Sequence, residues 1–146
     1  MGLRPNFTKR QISNQIKAAV DQFRQAATDR FKYAGEEFVN LARQVDSYKD
    51  DTGNLRSSIW YSVLYNGKPI AQSFAGNQAE GRRQAKKAAK EIAKEYPKGF
   101  VLVGGAGMDY AASVEARGYD VVSTSAETAG RLLKAAIRNL KKRYNV

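Results

Sequence analysis

The sequence predicts an α+β domain: a small, mostly antiparallel four-stranded sheet packed with a long N-terminal helix, a middle basic helix and a C-terminal helix. Three observations predict it. Ser58–Ala75 alternates apolar and polar residues on both sides of Asn66-Gly67, the dipeptide that a tight hairpin turn favours. Three other stretches carry apolar residues at steps of three or four, the helical period. Phe100-Val101-Leu102-Val103 is a short unbroken apolar run of the length of a central strand.

The first helix reads as Thr8 to Tyr48. Ile12, Ile16, Val20, Phe23, Ala27, Phe31, Ala34, Phe38, Leu41, Val45 and Tyr48 form its stripe. This is long for a compact domain. Two readings follow: a helix that projects beyond its sheet onto a neighbouring subunit, or a core helix broken at Tyr33-Ala34-Gly35. Asp50-Asp51-Thr52-Gly53-Asn54 is turn chemistry, with Gly53 expected at positive φ, and it leads into the first strand. In the hairpin, Ile59, Tyr61, Val63 and Tyr65 share one face, and Ile70, Gln72 and Phe74 share a face of the returning strand. Trp60 falls opposite the Ile59 set, to cover a helix or to sit at a subunit contact; of the two, a second buried face is expected.

Asn77 with Glu80 three residues on has the form of a capping arrangement for a helix from Gln78 to Tyr96, closed by Pro97-Lys98-Gly99. Its apolar stripe is Ala85, Ala88, Ala89, Ile92 and Tyr96, and Arg82, Arg83, Lys86, Lys87, Lys90 and Lys94 cover the rest. After the 100–103 strand, Gly104-Gly105-Ala106-Gly107 lacks the spacing of a nucleotide-binding loop. Met108 to Glu115 reads as a short helix, and Tyr119 to Ser123 as the fourth strand. Thr124 and Glu127 have the spacing of a capping box that opens the last helix, about Ser125 to Tyr144. One face of it carries Leu133, Ala136, Ile137, Leu140 and Tyr144, the other Arg131, Lys134, Arg138, Lys141 and Lys142.

At 146 residues the chain is expected to form one domain, with the long helix over about 8–48 and a sheet-containing core over about 50–146. No apolar run is long enough for a membrane span, and residues 1–10 have no apolar core of a secretory signal. Cysteine and histidine are both absent, which removes disulfides, thiolate metal sites and the commonest general base. The remaining catalytic candidates are the Asp50/Asp51 pair and Ser57/Ser58 beside Arg56. Neither has a visible base partner, and turn chemistry accounts for both, so no enzyme, cofactor or metal is expected.

Net charge is +11 and unevenly placed. Residues 78–98 carry seven basic and three acidic side chains, and residues 131–146 six and none, whereas 99–130 carry one and four. The two basic helices suit a polyanion or an acidic partner surface equally, and part of this charge is an ordinary solvated face.

Two separated motifs add a family resemblance. Asp50, Thr52, Gly53, Leu55, Arg56, Ser58 and Ile59 in the first, and Tyr110, Ala111, Val114, Glu115 and Gly118 in the second, resemble the tail-completion, or head–tail joining, proteins of tailed bacteriophages. The resemblance covers roughly Tyr48 to Leu133, and the basic helix at Gln78–Tyr96 departs from that pattern. It implies a structural virion protein of the neck, made in the host cytoplasm. Copies would form a homo-oligomeric ring between a portal-side connector or head-closure protein and a tail terminator or tail tube protein. Phage DNA would pass through the lumen, contacted without sequence preference and with no membrane involved. The alternative from another class is a free, non-sequence-specific nucleic-acid-binding protein with the two basic helices as its footprint. No helix-turn-helix, zinc or RNA-binding sequence pattern accompanies them.

Overall fold

Alternation of side chains along one central strand decides the layering. Strand β1 (Ile59–Tyr65) lies between β2 (Lys68–Ser73) and β3 (Phe100–Ala106), and both pairings are antiparallel. A computed structural model gives this arrangement and describes residues 8–45, 50, 52–108 and 122–144. Ile59, Tyr61 and Val63 face helix α1 (Lys9–Gln44) and helix α4 (Ser123–Arg143), with Phe31, Phe38, Val39 and Ala129 in the same core. Trp60 and Leu64 face the other way, onto Ala85 and Ala89 of helix α3 (Ala79–Ala93). The sheet therefore has two covered faces, as Trp60 implied.

The sheet has three strands among the described residues, not the expected four. Residues 119–121 of the expected fourth strand lie outside the described residues. Ser123 opens α4, and Val122 immediately precedes that helix, packing beside Leu55 and the main core. Its apolar side chain thus serves the helix entry. Thr124 lies inside α4 and is not its N-cap. The expected short helix at 108–115 extends beyond the described residues after Met108.

The hairpin turns at Asn66-Gly67, with φ of 50° and 79°, the two positive values that this turn requires. Asn66 also accepts a bond from the Gly99 backbone N–H at its Oδ1, 2.9 Å, which ties the turn to the entry of β3. A register shift opposite Val63/Leu64 leaves Ile70 as the extra residue of β2. Gln72 lies opposite Ser62 and Ala71 opposite Val63, so β2 contributes Ala71 to the main core, while Phe74 stacks near Trp60.

Thr8 caps α1 in a reciprocal box with Gln11, and the helix runs unbroken through Tyr33-Ala34-Gly35 to Gln44. Its 36 residues span about 54 Å. α4 runs antiparallel to it: Phe38 shares a cavity wall with Ala129 and Gly130, and Phe23 meets Tyr144 edge-on with ring centroids 5.5 Å apart. Beyond Phe23, residues 9–22 of α1 are exposed all round among the described residues. The break expected in the second reading is absent: the helix is continuous and extends beyond the sheet, as far as the first reading concerns this one chain.

Candidate functional site

Asp50 organises the first motif. Its side chain is almost wholly buried, and its carboxylate accepts backbone N–H bonds from Leu55, 3.4 Å, and Arg56, 2.9 Å. These donors belong to a one-turn helix, α2 (Asn54–Ser57), in a stretch where the sequence suggested a direct strand entry. The reason is capping: a short helix leaves its first N–H groups unpartnered, and a carboxylate there satisfies them. Gly53 precedes the turn at φ 75°, as expected, and Thr52 Oγ1 accepts the Asn54 N–H at 3.2 Å. The Arg56 guanidinium donates to the Val45 carbonyl at 2.7 Å, holding the end of α1 against the motif. Leu55 and Ile59 are fully buried.

The same turn then caps α3. Ser57 Oγ accepts the Gln78 N–H at 3.0 Å, and Asn54 Oδ1 accepts the Gly81 N–H at 3.2 Å. Asn77 therefore does not cap the helix: Gln78 is the N-cap residue, and caps arrive from α2. Glu80 pairs forward instead, its carboxylate taking two bonds from Arg83 at 2.7 and 2.9 Å and one from Gln84. The Arg83 hydrogen bond, then that of Gln84, holds the Glu80 carboxyl down to about 2, and Glu80 raises the Arg83 guanidinium in turn. Gly76 and Gly81 admit this junction, since a Cβ on either would overlap Ser57. The first motif is thus a structural knot joining α1, β1 and α3. The capping role of Asn54 and Ser57 is what sequence reasoning missed, reading one as turn chemistry and the other as a catalytic candidate, although both belong to the short polar types that favour caps.

The two sets of basic residues lie on opposite faces of the sheet, α3 over Trp60 and α4 over the Ile59 set. On α3, Arg82 turns inward to the Gly76 carbonyl at 2.6 Å, Arg83 is paired with Glu80, and Lys94 lies 3.6 Å from Glu91. Lys86, Lys87 and Lys90 have no ion-pair partner among the described residues. On α4, Arg131, Lys134, Arg138, Lys141 and Lys142 are all exposed, and none of the five is in an ion pair among the described residues. The second motif, with Tyr110, Ala111, Val114, Glu115 and Gly118, lies outside the described residues. Asp51, half of the candidate carboxylate pair, lies outside them too, and Asp50 is committed to backbone N–H groups. Ser57 is likewise used as a cap, and Ser58 Oγ donates to the Leu55 carbonyl.

No group of acidic side chains that could hold a metal ion is present among the described residues, and no helix there is long and apolar enough to cross a membrane. Comparison with known proteins returns no matching family model, no similar curated protein and no similar solved structure.

Proposed function

We propose that this chain is a structural subunit of a tailed-phage neck, acting as a closed homo-oligomeric ring around the DNA channel. The observation that carries the reading is the overhang of α1. Ile12, Ile16 and Val20 stand one helical turn apart on a segment with no packing partner among the described residues, 39%, 59% and 48% exposed. An apolar stripe of this kind is stabilised by covering it, and a head-to-tail contact with the next copy closes into a ring. The buried Asp50 cap supports the reading from a second side, because the motif that resembles tail-completion proteins forms the junction on which the overhanging helix is mounted.

In this reading α4 supplies charge to the lumen. Its five exposed cations are suited to phosphate contact, the sequence-independent kind that a channel through which DNA slides requires. The ring would meet a portal-side connector or head-closure protein at one end and a tail terminator or tail tube protein at the other, within the virion. A free, non-specific nucleic-acid-binding protein is the competing reading, and the same α4 face favours it. Light scattering of the purified chain, with and without duplex DNA, separates them. A discrete oligomer with weak DNA affinity supports the neck subunit; a monomer that binds DNA tightly replaces it with the competitor.

A further inference from the structure

Between the hairpin and α3 lies a cavity of about 650 Å³ that the ring reading does not use. Leu64, Pro69 and Phe74 line it from the sheet, and Ala89 and Ala93 from the helix. That volume is in the range of sites that hold small organic ligands. The small alanines are what leave the space open: α3 lies over Trp60 without a long apolar side chain at either position.

Polar groups converge on this apolar chamber. Ser62 is 1% exposed and lines it, and its hydroxyl has no hydrogen-bond partner among the described residues. A buried hydroxyl without a partner is costly, and a ligand that bonds it recovers that cost. Lys86, Lys90 and Lys94 stand along the opposite wall at four-residue intervals, about 6 Å apart along the helix axis. Like charges at this spacing repel, and among the described residues only Lys94 of the three is in an ion pair, with Glu91. The chamber therefore combines an apolar body, an unused hydroxyl and a cationic rim.

We infer that this cavity is a binding site for a small amphipathic carboxylate, an acyl or aryl body seated on Leu64 and Phe74 with its carboxylate against Lys86 and Lys90. A peptide strand is the less suitable occupant. β2 is the open edge beside the cavity, and Lys68, Pro69 and the irregularity at Ile70 blunt it against strand addition. The site is independent of the ring reading, since it lies within one copy and on the face of the sheet opposite α4.

The test is a ¹⁵N NMR titration of the full chain with octanoate, with octan-1-ol as the neutral probe of equal length. Saturable shifts are expected at Ser62, Gln72, Phe74 and Lys90. Lys90→Glu should weaken octanoate by about tenfold or more, whereas Lys87→Glu, the same charge change off the cavity wall, should alter it by less than about twofold. Gln72→Trp, placed on the exposed strand where folding tolerates it, should block binding. Non-saturating shifts, equal weakening by both lysine variants, octan-1-ol binding as tightly as octanoate, or unchanged binding in Gln72→Trp would each overturn the assignment.

Discussion

Gly35 and Tyr61 are packed so closely that a Cβ on the glycine would overlap the tyrosine ring. One turn of α1 thereby sits flat on the central strand, and the Tyr61 hydroxyl reaches Glu36 Oε1 at 2.7 Å. A glycine in a helix interior is disfavoured by about 1 kcal/mol against alanine, so contact at this point outweighs propensity. Gly35→Ala should therefore destabilise the fold, by overpacking of about 1–3 kcal/mol less the propensity gained. Chemical denaturation checks it, and a variant more stable than the parent would contradict the packing argument.

The same tyrosine sets an alkaline limit. Burial, then the hydrogen bond to Glu36 and its charge, push the Tyr61 phenol well above its ordinary range. The folded state thus binds this proton more tightly than the unfolded chain does. Its contribution is complete below about pH 10, the unfolded value, and is lost as pH rises above that toward the folded value. Stability measured from pH 8 to 11 should fall less steeply in Tyr61→Phe than in the parent. Parallel curves would show that Tyr61 ionises as freely folded as unfolded.

Asp50 should be worth a helix cap and more. Asp50→Ala removes the acceptor for two backbone N–H groups, and a lost cap costs about 1–2 kcal/mol. Gly53→Val should cost a similar amount for a different reason, since a left-handed φ of 75° is about 1–2 kcal/mol unfavourable for a residue with a Cβ. Both are read as shifts in denaturation midpoint. A neutral outcome for Asp50→Ala would mean that water serves the α2 donors as well as the carboxylate.

What the sequence made legible was local. Asn66-Gly67 names its turn type because both residues must take positive φ, and no distant contact is needed to decide that. The phases of α1, α3 and α4 follow from apolar spacing in the same way, and so did the second buried face that Trp60 implied. The failures came from side-chain partners that apolar spacing does not record, some near in the chain and some far. α2 forms because Asp50 reaches forward to Leu55 and Arg56, and α3 is capped by Ser57 from 21 residues upstream, so Asn77 looked like a cap and was not. The expected fourth strand at Tyr119 to Ser123 runs into α4, whose entry Val122 serves by packing beside Leu55. The separation of the two basic helices depends on which β1 face each covers, and their charge pattern carries no record of that.

DNA contact, if α4 makes it, must be electrostatic. Reversing Arg138 and Lys141 to glutamate should weaken duplex binding for every sequence tested and make its salt dependence shallower. Two lost phosphate contacts correspond to about two units in the slope of log K against log salt. Fluorescence anisotropy over a salt series measures this. Affinity that survives high salt, or that prefers one sequence, would move the contact away from α4 and toward base reading.

The overhang gives the sharpest prediction about assembly. Ile16 is 59% exposed, midway along the stripe that Ile12 and Val20 complete, and no described residue of its own chain packs against it. Within a lone subunit, Ile16→Asp exchanges one solvated side chain for another and should leave the unfolding free energy of the monomer within about 0.5 kcal/mol of the parent's. In a ring, the same change buries a carboxylate in an apolar contact, once per interface, and a closed assembly repeats that penalty at every joint. The expected outcome is therefore a split: unchanged subunit folding by circular dichroism, with loss of the oligomer by light scattering. Assembly that persists in Ile16→Asp would remove the overhang from the interface, and with it the observation on which the ring reading chiefly stands.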